Sequence, residues 1–368
     1  MPYIVFLLWL GMSLIYFVLD IALAYHVLQI KSKKKSVTSE GVSVIIAAKN
    51  ETANLKQNLI YILQQQHPKF EVIVINDHST DDTIKVLEEF SKAHSGLKFI
   101  SITTGEPSKK AALTKGIEMS SFNTLCFTDA DCKPQSAQWL STMESYLTTN
   151  TPVVLGFSPY TKYKGLLNKL IRFETLQTAI NYFGFAKMGQ PYMAVGRNLM
   201  YTKTVFRSVN GFTTHEHLRS GDDDLFLKEV ISKHNIALCT DSGTFVESTP
   251  KTTLKSWIAQ KQRHITTANH YRTTHQFILS GQFMVRFLFW YFVLPFSGLL
   301  PVSGFGTILG LISVYTVLVF LKTEFWRETF KTFQAEPLLF IVPFLEFLLV
   351  NVQLYVFLSN LIRHKKDW

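Results

Sequence analysis

The chain has 368 residues, of which 47% are hydrophobic and 14% are aromatic. Charged residues make up only 17%, against about 25% in an average soluble protein. This composition excludes a disordered chain, a coiled coil and a small disulfide-stapled protein. It also disfavours an ordinary soluble enzyme, because the apolar residues are concentrated in long blocks.

Three of these blocks are long enough to cross a membrane as helices, which takes roughly 20 apolar residues. Residues 1–30 contain Asp20 as their one charged residue, residues 287–321 contain none, and residues 337–362 contain only Glu346. A cleaved signal peptide is disfavoured for the first block, because its apolar stretch is too long and it lacks a basic start. We therefore predict a retained anchor. Asp20 and Glu346 are expected either to carry a function or to pair helices.

Basic residues predict the orientation of these segments. Lys31, Lys33, Lys34 and Lys35 follow the first block, and lysines beside a spanning helix mark its cytoplasmic side. The chain from about residue 36 is therefore predicted to be cytosolic. The basic tail at residues 363–366 favours a cytosolic C-terminus and so an even number of later crossings. A hairpin that turns near residues 301–306 and the last block would together give three crossings, which is an odd number. Whether the C-terminal region has two or three helices therefore stays open.

The net charge of +10 does not by itself indicate a nucleic-acid partner. Anionic lipid headgroups explain it more simply, and anionic nucleotide substrates give a second explanation. We therefore predict membrane lipids among the partners and no nucleic acid. Cys126, Cys132 and Cys239 are odd in number and lack metal-binding spacing, which is typical of a reduced cytosolic compartment.

Residues 36–281 are predicted to form one large domain, between an N-terminal transmembrane helix in residues 1–30 and a C-terminal transmembrane region in residues 282–368. Strand-like and helix-like segments alternate through its first half. Strands are predicted at residues 43–48, 71–75, 97–102, 124–128 and 151–156, and helices at residues 51–66, 80–94, 109–119 and 135–149. Ser79 or Thr80 is the expected N-cap of the second helix. This alternation predicts an α/β fold with a mainly parallel sheet and helices on both faces.

Acidic and amide side chains follow three of these strands, at the edge where parallel sheets bind ligands. Asn50 and Glu51 follow the first strand, Asp77 follows the second, and Asp129 and Asp131 follow the fourth. Such groups can hold a divalent cation and can accept hydrogen bonds from a nucleobase or a ribose. The sequence therefore predicts a ligand site at this edge of the sheet.

Two common nucleotide-binding patterns are absent from the sequence. The first strand–helix turn has no Gly-x-Gly-x-x-Gly, which disfavours a dinucleotide-binding fold, and the lack of Gly-x-x-x-x-Gly-Lys-Ser/Thr excludes a P-loop enzyme. Asp81 and Asp82 are expected to stabilise a helix N-terminus. Asp77 can likewise either contact a ligand or stabilise a helix N-terminus, and both interpretations stay open.

Asp129 and Asp131 form an Asp-x-Asp turn directly after a hydrophobic strand. Two convergent carboxylates repel each other, and a hard cation such as Mg²⁺ or Mn²⁺ removes that cost and can be shared with a diphosphate. An isolated Asp-x-Asp is common by chance, so its position after the strand is what predicts a metal site.

Several motifs, all in the same order, resemble those of the family 2 glycosyltransferases, which are inverting enzymes with the nucleotide-sugar-binding GT-A fold. The resemblance covers about residues 42–265. Its motifs are VSVIIAAKNE, VIVINDHSTDDT, KKAALTKGI, FTDADC, GRNLMY with a following NGF, SGDDDLFL and QKQRH. Each motif is modest alone, and their common order makes the resemblance strong.

The resemblance implies a role for each matching position. The donor nucleotide would be bound by Ala48, Asn50, Glu51, Asp77, Lys109, Asp129, Gln260 and Arg263. Mg²⁺ or Mn²⁺ would be held by Asp131 and Asp129, and the acceptor side would be formed by Gly196, Arg197 and Asn198. Asp222 or Asp223 would be the catalytic base, and the two stay unseparated. Crowding with Asp224 is expected to raise the pKa of at least one of them.

Several of these assignments have a structural alternative. The acidic segment at residues 222–224 can be a charged helix N-terminus. Gln260 and Arg263 can lie on the solvated face of a helix at residues 253–270, and Lys109 can be a plain surface lysine. Residues 165–185 look amphipathic and are expected to lie either at the membrane surface or against the domain core.

The sequence also departs from the family pattern. His264 replaces the Trp that is typical of processive polysaccharide synthases, which weakens the case for long-chain synthesis. The base segment reads Gly-Asp-Asp-Asp instead of Glu-Asp, and Thr114 replaces the usual Asn.

We therefore predict a multi-pass enzyme of the cytoplasmic membrane that serves the cell envelope, with its catalytic domain in the cytosol. It would be a hexosyltransferase that moves one sugar from a nucleotide sugar, in the first place a UDP-sugar, to a lipid or lipid-linked glycan. Metal dependence and inversion follow from the resemblance. A processive polysaccharide synthase and a catalytically inactive membrane scaffold are the two alternatives.

Overall fold

The computed structural model describes residues 2–32, 40–218, 220–293, 305–335 and 341–362, with residues 2–7 and 305–311 described as backbone only. The lysines at residues 33–35, the predicted turn at residues 301–304 and the basic tail at residues 363–366 lie outside these ranges. The chain divides into two compact units. The sheet unit comprises Ile30–Tyr163 and Pro191–Lys251, and the helical unit comprises Met1–Gln29, Lys164–Gln190 and Thr252–Trp368.

A seven-stranded sheet with the order β3-β2-β1-β4-β7-β6-β8 forms the centre of the sheet unit. Its strands are β1 (Val42–Ala48), β2 (Phe70–Asp77), β3 (Leu97–Ile102), β4 (Thr124–Phe127), β6 (Val153–Leu155), β7 (Leu199–Thr202) and β8 (Ala237–Leu238). The first four strands are parallel, and β7 runs antiparallel to both β4 and β6. The predicted α/β fold with a mainly parallel sheet is confirmed.

Helices cover both faces of this sheet. They are α2 (Thr52–Leu63), α3 (Thr83–Ala93), α4 (Lys109–Met119), α5 (Trp139–Glu144), α7 (Lys203–Ser208) and α8 (Asp224–Val230). Val44 packs in one apolar cluster with Leu59 of α2, whereas Ile73 and Ile75 pack with Ala112 of α4. Central strands that are buried on both faces read as continuous hydrophobic runs, which is why β1 and β2 stand out in the sequence.

Some predicted elements differ in extent. The helix expected at residues 135–149 is reduced to α5. The chain before it forms β5 (Cys132–Pro134), which pairs with β9 (Val246–Ser248). The N-cap prediction for the helix at residues 80–94 was wrong. That helix begins at Thr83, and the Ser79 hydroxyl instead accepts a hydrogen bond from the Asn50 N–H group.

The described part of the helical unit has six α-helices. They are α1 (Pro2–Leu28), α6 (Leu166–Lys187), α9 (Leu254–Ala268), α10 (Thr273–Leu288), α11 (Phe305–Thr332) and α12 (Val342–Ile362). Helix α6 packs against α1 and α12, and its Phe173 stacks on Trp326 with ring centroids 5.3 Å apart. The amphipathic segment at residues 165–185 therefore packs within the helical unit, and its position relative to a membrane stays a prediction.

Two helical segments in the described residues, Leu8–Leu28 and Val342–Ile362, are long and apolar enough to cross a membrane. They lie within the first and the last predicted transmembrane blocks. Residues 164–190 and 252–281, which the predicted domain ranges assign to the catalytic domain, pack with these helices. The domain ranges and the number of crossings stay predictions.

The two acidic residues of the apolar blocks take part in one buried charge cluster. Asp20 pairs with Arg286 at 2.7 Å and with Lys322 at 2.9 Å, and Lys322 also pairs with Glu346 at 2.9 Å. The Tyr16 hydroxyl donates to Glu346 at 2.6 Å. Because these residues come from α1, α10, α11 and α12, the cluster connects four helices, as the helix-pairing alternative predicted.

Candidate active site

The loop after β1 is tied to the loop after β2 through Asn50. Its side-chain oxygen accepts the Thr80 N–H at 2.7 Å, and its backbone adopts a left-handed φ of 57°. Left-handed backbone is rare for residues other than glycine, and Asn is among those that tolerate it best. This loop leaves Ala48 buried at the strand end. Glu51 follows, and burial together with the charges of the Asp-x-Asp turn raises the pKa of its carboxyl.

Asp77, at the end of β2, is buried and uses both carboxylate oxygens within the protein. One oxygen lies 2.6 Å from His78 Nδ1, and the other accepts the Ser108 N–H at 2.9 Å. Ser108 is the N-cap of α4. Asp77 therefore holds the start of the helix whose first residue is Lys109.

Asp81 takes the capping role that the sequence predicts. Its carboxylate accepts the Thr83 N–H at the start of α3 and the Thr52 N–H at the start of α2, at 3.1 and 3.2 Å. One aspartate thus serves two helix N-termini, where a negative charge is stabilising. Asp82, in contrast, is exposed and pairs with Lys85.

Asp129 and Asp131 lie in the turn after β4, and together with Cys132 they are the one group of possible metal ligands in the described residues. Their ligand atoms lie within 4.8 Å of one another. Burial and the charge of Asp129 raise the pKa of Asp131. Burial and the same two carboxylates also raise the pKa of the Cys132 thiol, whose sulfur lies 3.2 Å from Asp131 Oδ1.

The composition of this group indicates which metal it suits. The Cys132 thiol donates a weak hydrogen bond to Asp131, and the other two members of the group are aspartates. The remaining donors are carboxylate oxygens, which suit hard cations such as Mg²⁺ and Mn²⁺. The residues present therefore fit the cation that the sequence predicts.

Lys109 connects the Asp-x-Asp turn to the segment that was predicted to supply the base. Its ammonium nitrogen lies 3.0 Å from Asp129 Oδ1 and 2.9 Å from Asp222 Oδ2. The Lys109 side chain is 38% exposed, so the bridge borders solvent. The surface-lysine alternative is thus disfavoured, because two carboxylates hold this side chain.

Asp222 and Asp223 have opposite electrostatic environments. Burial opposes the ionisation of Asp222, but the attraction of Lys109 outweighs it and holds the pKa of Asp222 below its usual value. Burial and the charges of Asp224 and Asp222 raise the pKa of Asp223 to about 8. Asp223 also accepts the Gly196 N–H at 2.8 Å. The sequence predicts a raised pKa for at least one of these two aspartates, and in the structure that residue is Asp223.

The segment at residues 196–198 has three different roles. Gly196 supports Asp223 through its backbone, and a Cβ at this position would lie 3.3 Å from Asp223. The Arg197 guanidinium lies 4.5 Å from the ring of Tyr160, and its charge favours ionisation of Asp131. Asn198 is fully buried, and its amide bonds the Phe157 and Thr244 carbonyls and the Trp139 indole, so its side chain supports the core.

The structure thus brings together the strand-end residues and the base segment of the sheet unit. Four of the predicted site residues, Lys109, Asp129, Gly196 and Asp222, line a small cavity together with Phe127 and Tyr201 among others. Gln260 and Arg263 lie on α9 in the helical unit, and Arg263 is exposed. Their nucleotide-binding role stays a prediction. The sequence analysis missed Cys132 as the donor to Asp131, although the two are adjacent in FTDADC.

Two family profiles match this chain. The profile described as "Glycosyl transferase family 2" matches residues 43–210. The profile described as "Glycosyl transferase family group 2" matches residues 152–350, more than half of the chain.

Individual relatives match shorter segments. The poly-beta-1,6-N-acetyl-D-glucosamine synthase of Staphylococcus epidermidis is 32% identical over 130 residues, which cover 35% of this chain and 31% of that synthase. The glycosyltransferase AglE of Haloferax volcanii is 39% identical over 101 residues, 27% of this chain and 33% of AglE. The matched segments thus span about a third of the length of these curated relatives.

A solved structure resembles nearly the whole chain. It is the mannosyltransferase PcManGT from Pyrobaculum calidifontis in complex with GDP-Man and Mn²⁺, with a TM-score of 0.61 and 16% identity. The match covers 97% of this chain and 99% of that chain. At this identity the likeness concerns the fold alone, and it agrees with the predicted GT-A fold. With a family profile matching more than half of its length, the chain belongs to the family 2 glycosyltransferases.

Proposed function

We propose that this protein transfers a single sugar, with inversion, from a nucleotide-sugar donor to a lipid or lipid-linked acceptor at a membrane. The observation that carries the proposal is the Lys109 bridge. It joins Asp129 of the Asp-x-Asp turn to Asp222 of the base segment, with ion pairs of 3.0 and 2.9 Å. The donor-binding turn and the segment that carries the proposed base are therefore adjacent, as a one-step displacement needs.

Asp131 and Asp129 would hold Mg²⁺ or Mn²⁺ in this proposal. The cation would supply compensation for negative charge on the departing nucleoside diphosphate. Lys109 adds a second positive charge beside Asp129. Arg197 adds a third, and its own position is kept by Ser158, which accepts from its Nε at 2.7 Å.

Asp223 is the proposed base. In the displacement, the acceptor oxygen forms a bond to the anomeric carbon, the bond to the diphosphate breaks, and the acceptor proton moves to the Asp223 carboxylate. A pKa of about 8 makes this carboxylate a better proton acceptor than an ordinary aspartate. Asp222, in contrast, is already paired with Lys109.

The loops after β1 and β2 would bind the nucleotide through Ala48, Asn50, Glu51 and Asp77. Hydrogen bonds of Asn50 with Ser79 and Thr80 connect the two loops. Gln260 and Arg263 would contribute donors to the diphosphate, for which an arginine offers a bidentate grip. A UDP-sugar is the first donor to examine. GDP-mannose is included because it is bound in PcManGT.

A groove in the helical unit supports a lipid acceptor. It has a volume of about 630 Å³ and an almost entirely apolar lining that includes Leu166, Leu170, Leu254, Ile258, Leu348 and Val352. Leu348 and Val352 belong to a helix that is long and apolar enough to cross a membrane. We therefore propose a multi-pass protein of the cytoplasmic membrane whose sheet unit faces the cytosol, as the lysines after residue 30 predict.

A processive polysaccharide synthase is the second candidate. It is favoured by the identity of 32% to a poly-beta-1,6-N-acetyl-D-glucosamine synthase. His264, in place of the Trp of the Q-x-x-R-W motif, disfavours it. An inactive scaffold has less support, because the raised pKa of Asp223 and the Lys109 bridge are more than nucleotide binding requires.

The test uses the full chain in lipid nanodiscs with Mg²⁺ or Mn²⁺, native lipid extract and a panel of UDP- and GDP-sugars. Nucleoside diphosphate release is recorded, and the lipid fraction is analysed by mass spectrometry. We expect release with one donor and a single added hexose mass on a lipid, and neither with the Asp223→Asn variant. A ladder of masses would favour the synthase. Donor binding without release across the panel would favour the scaffold.

A further inference from the structure

A second lysine of α4, Lys110, is buried next to the site, with only 2% of its surface exposed. Its ammonium nitrogen donates to three backbone carbonyls of one loop, those of His215, Leu218 and Ser220, at 2.5, 2.8 and 2.8 Å. A lysine ammonium has three N–H donors. Each donor thus has a partner, which makes the burial of the charge tolerable.

The loop that Lys110 holds leads directly into the proposed base segment. Ser220 is followed by Gly221, which has a φ of +95° and at which a Cβ would lie 2.6 Å from Leu225. This tight turn fixes the direction in which Asp222 and Asp223 leave the loop. A displacement of the loop would therefore also displace the carboxylates of Asp222 and Asp223.

Two consecutive lysines thus hold the same segment from different sides. Lys109 pairs with the Asp222 side chain, and Lys110 binds the backbone that precedes it. Both begin at the first turn of α4, whose N-cap residue Ser108 is in turn bonded to Asp77. The end of β2 is therefore connected to the base segment through rigid elements.

We propose that Lys110 is a positioning residue that sets the location of Asp223, and that it acts through the backbone carbonyls of His215, Leu218 and Ser220. This inference rests on the proposed function. It differs from that proposal because Lys110 faces the backbone carbonyls of the loop and so reaches the substrate only through the base.

The three-carbonyl arrangement predicts that other side chains are poor replacements. A methionine has a similar length but no donor. An arginine keeps the charge, but its planar fork directs its donors differently from a tetrahedral ammonium. A glutamine has two donors and is neutral, which makes it the mildest replacement with respect to folding.

The test compares Lys110→Met, Lys110→Arg and Lys110→Gln with Lys115→Met, a control on the same helix whose side chain is 47% exposed. Misplacing a catalytic group by about 1 Å can cost about a hundredfold in rate. We expect kcat to fall by about tenfold to a hundredfold in all three Lys110 variants, with KM for the donor changed by less than about threefold. Lys115→Met should match the wild type.

Hydrogen exchange supplies a readout that does not need activity. In the Lys110 variants, amide exchange should accelerate in the peptides that cover residues 213–223 and stay unchanged in those of β1 and β2. Wild-type kcat and unchanged loop exchange in the folded Lys110→Gln variant would overturn the inference. So would faster exchange throughout the sheet unit with kcat and KM affected together, since that pattern belongs to a general packing role.

The two proposals can fail separately. If the wild type releases no nucleotide with any donor, the proposed function fails, and the exchange pattern still decides whether Lys110 holds the loop. If the wild type is active and the Lys110 variants are equally active, only the positioning role fails. If Lys110→Met does not fold, the decision rests on Lys110→Gln and on rescue of Lys110→Ala by added ethylammonium, which restores the ammonium group alone.

Discussion

Lys109 and Asp222 form an ion pair of 2.9 Å at the meeting point of α4 and the acidic segment at residues 222–224. The same ammonium group lies 3.0 Å from Asp129. This ion pair explains why the pKa values of Asp222 and Asp223 shift in opposite directions. Asp222 is compensated by a cation and stays ionised, whereas Asp223 bears the repulsion of its neighbours and holds its proton to about pH 8.

Replacement of each aspartate by asparagine should separate their roles. Asp223→Asn removes the proposed base and should lower kcat by about 10² to 10⁴-fold, with donor affinity changed by less than about threefold. Asp222→Asn breaks the pair with Lys109 and should mainly alter donor binding. Steady-state kinetics and calorimetric titration of the donor measure both effects. A larger loss of kcat in Asp222→Asn than in Asp223→Asn would exchange the two assignments.

Activity should depend on pH through Asp223. The base accepts a proton only when ionised, and its pKa of about 8 means that the ionised fraction grows as the pH rises from 6 to 8. We therefore expect kcat/KM of the free enzyme to rise through pH 8 and to level off above about pH 9. The rise should disappear from the residual activity of Asp223→Asn. A flat profile in the wild type would contradict the assignment.

The same group links stability to pH. Between about pH 4 and pH 8, Asp223 is protonated in the folded state and ionised in the unfolded state, so folding takes up a proton. Its contribution to stability is therefore lost as the pH rises toward 8. The melting temperature of Asp223→Asn relative to the wild type should increase from pH 5 to pH 9. A difference that shrinks with pH would show that the carboxyl is not buried as described.

Removal of the cation should weaken donor binding, because Asp131 is a proposed ligand of that cation. Chelation by EDTA is expected to weaken donor binding by the wild type at least about tenfold, and added Mn²⁺ or Mg²⁺ should restore it. Asp131→Asn should bind the donor weakly with or without metal. Asp81→Asn is the matched control, because Asp81 caps two helices. It should lose about 1 kcal/mol of stability and keep the metal response. Metal-independent binding by the wild type would contradict the site.

The buried charge cluster should stabilise the helical unit. Lys322→Met leaves Asp20 and Glu346 without this partner, and breaking a buried pair typically costs about 3–5 kcal/mol. Glu324→Gln on the same helix is the control, because its pair with Arg327 is partly exposed and such pairs contribute about 0–1 kcal/mol. Thermal unfolding in detergent should separate the two variants. Equal melting temperatures would show that the cluster adds nothing to stability.

The strands and helices of the first half of the sheet unit were predictable from the sequence. β3 and α4 have the predicted bounds, and β1, β2 and β4 differ by at most two residues at either end. Their hydrophobic runs and their spacing are local properties, so no tertiary information is needed. Because loops after parallel strands meet at one edge, the same pattern also predicts that Asp77, Asp129 and Asp131 lie at a common edge of the sheet.

Which charged groups come into contact depends on the folded structure. Asp20 finds Arg286 across 266 positions, and Lys110 binds a loop more than 100 positions away. No periodicity in the sequence encodes such contacts. The environments of Asp222 and Asp223 likewise depend on Lys109 and Gly196, which approach them only after folding.

The family, the mainly parallel sheet and the residue types of the candidate site can be predicted from the amino-acid sequence, because motifs and hydrophobic periodicity are local properties of the chain. Folding is needed to place Lys109 between the two halves of the candidate site and to raise the pKa of Asp223 above that of Asp222. The physical reason is that a pKa and an ion pair depend on distances and burial in space, which the order of residues does not contain.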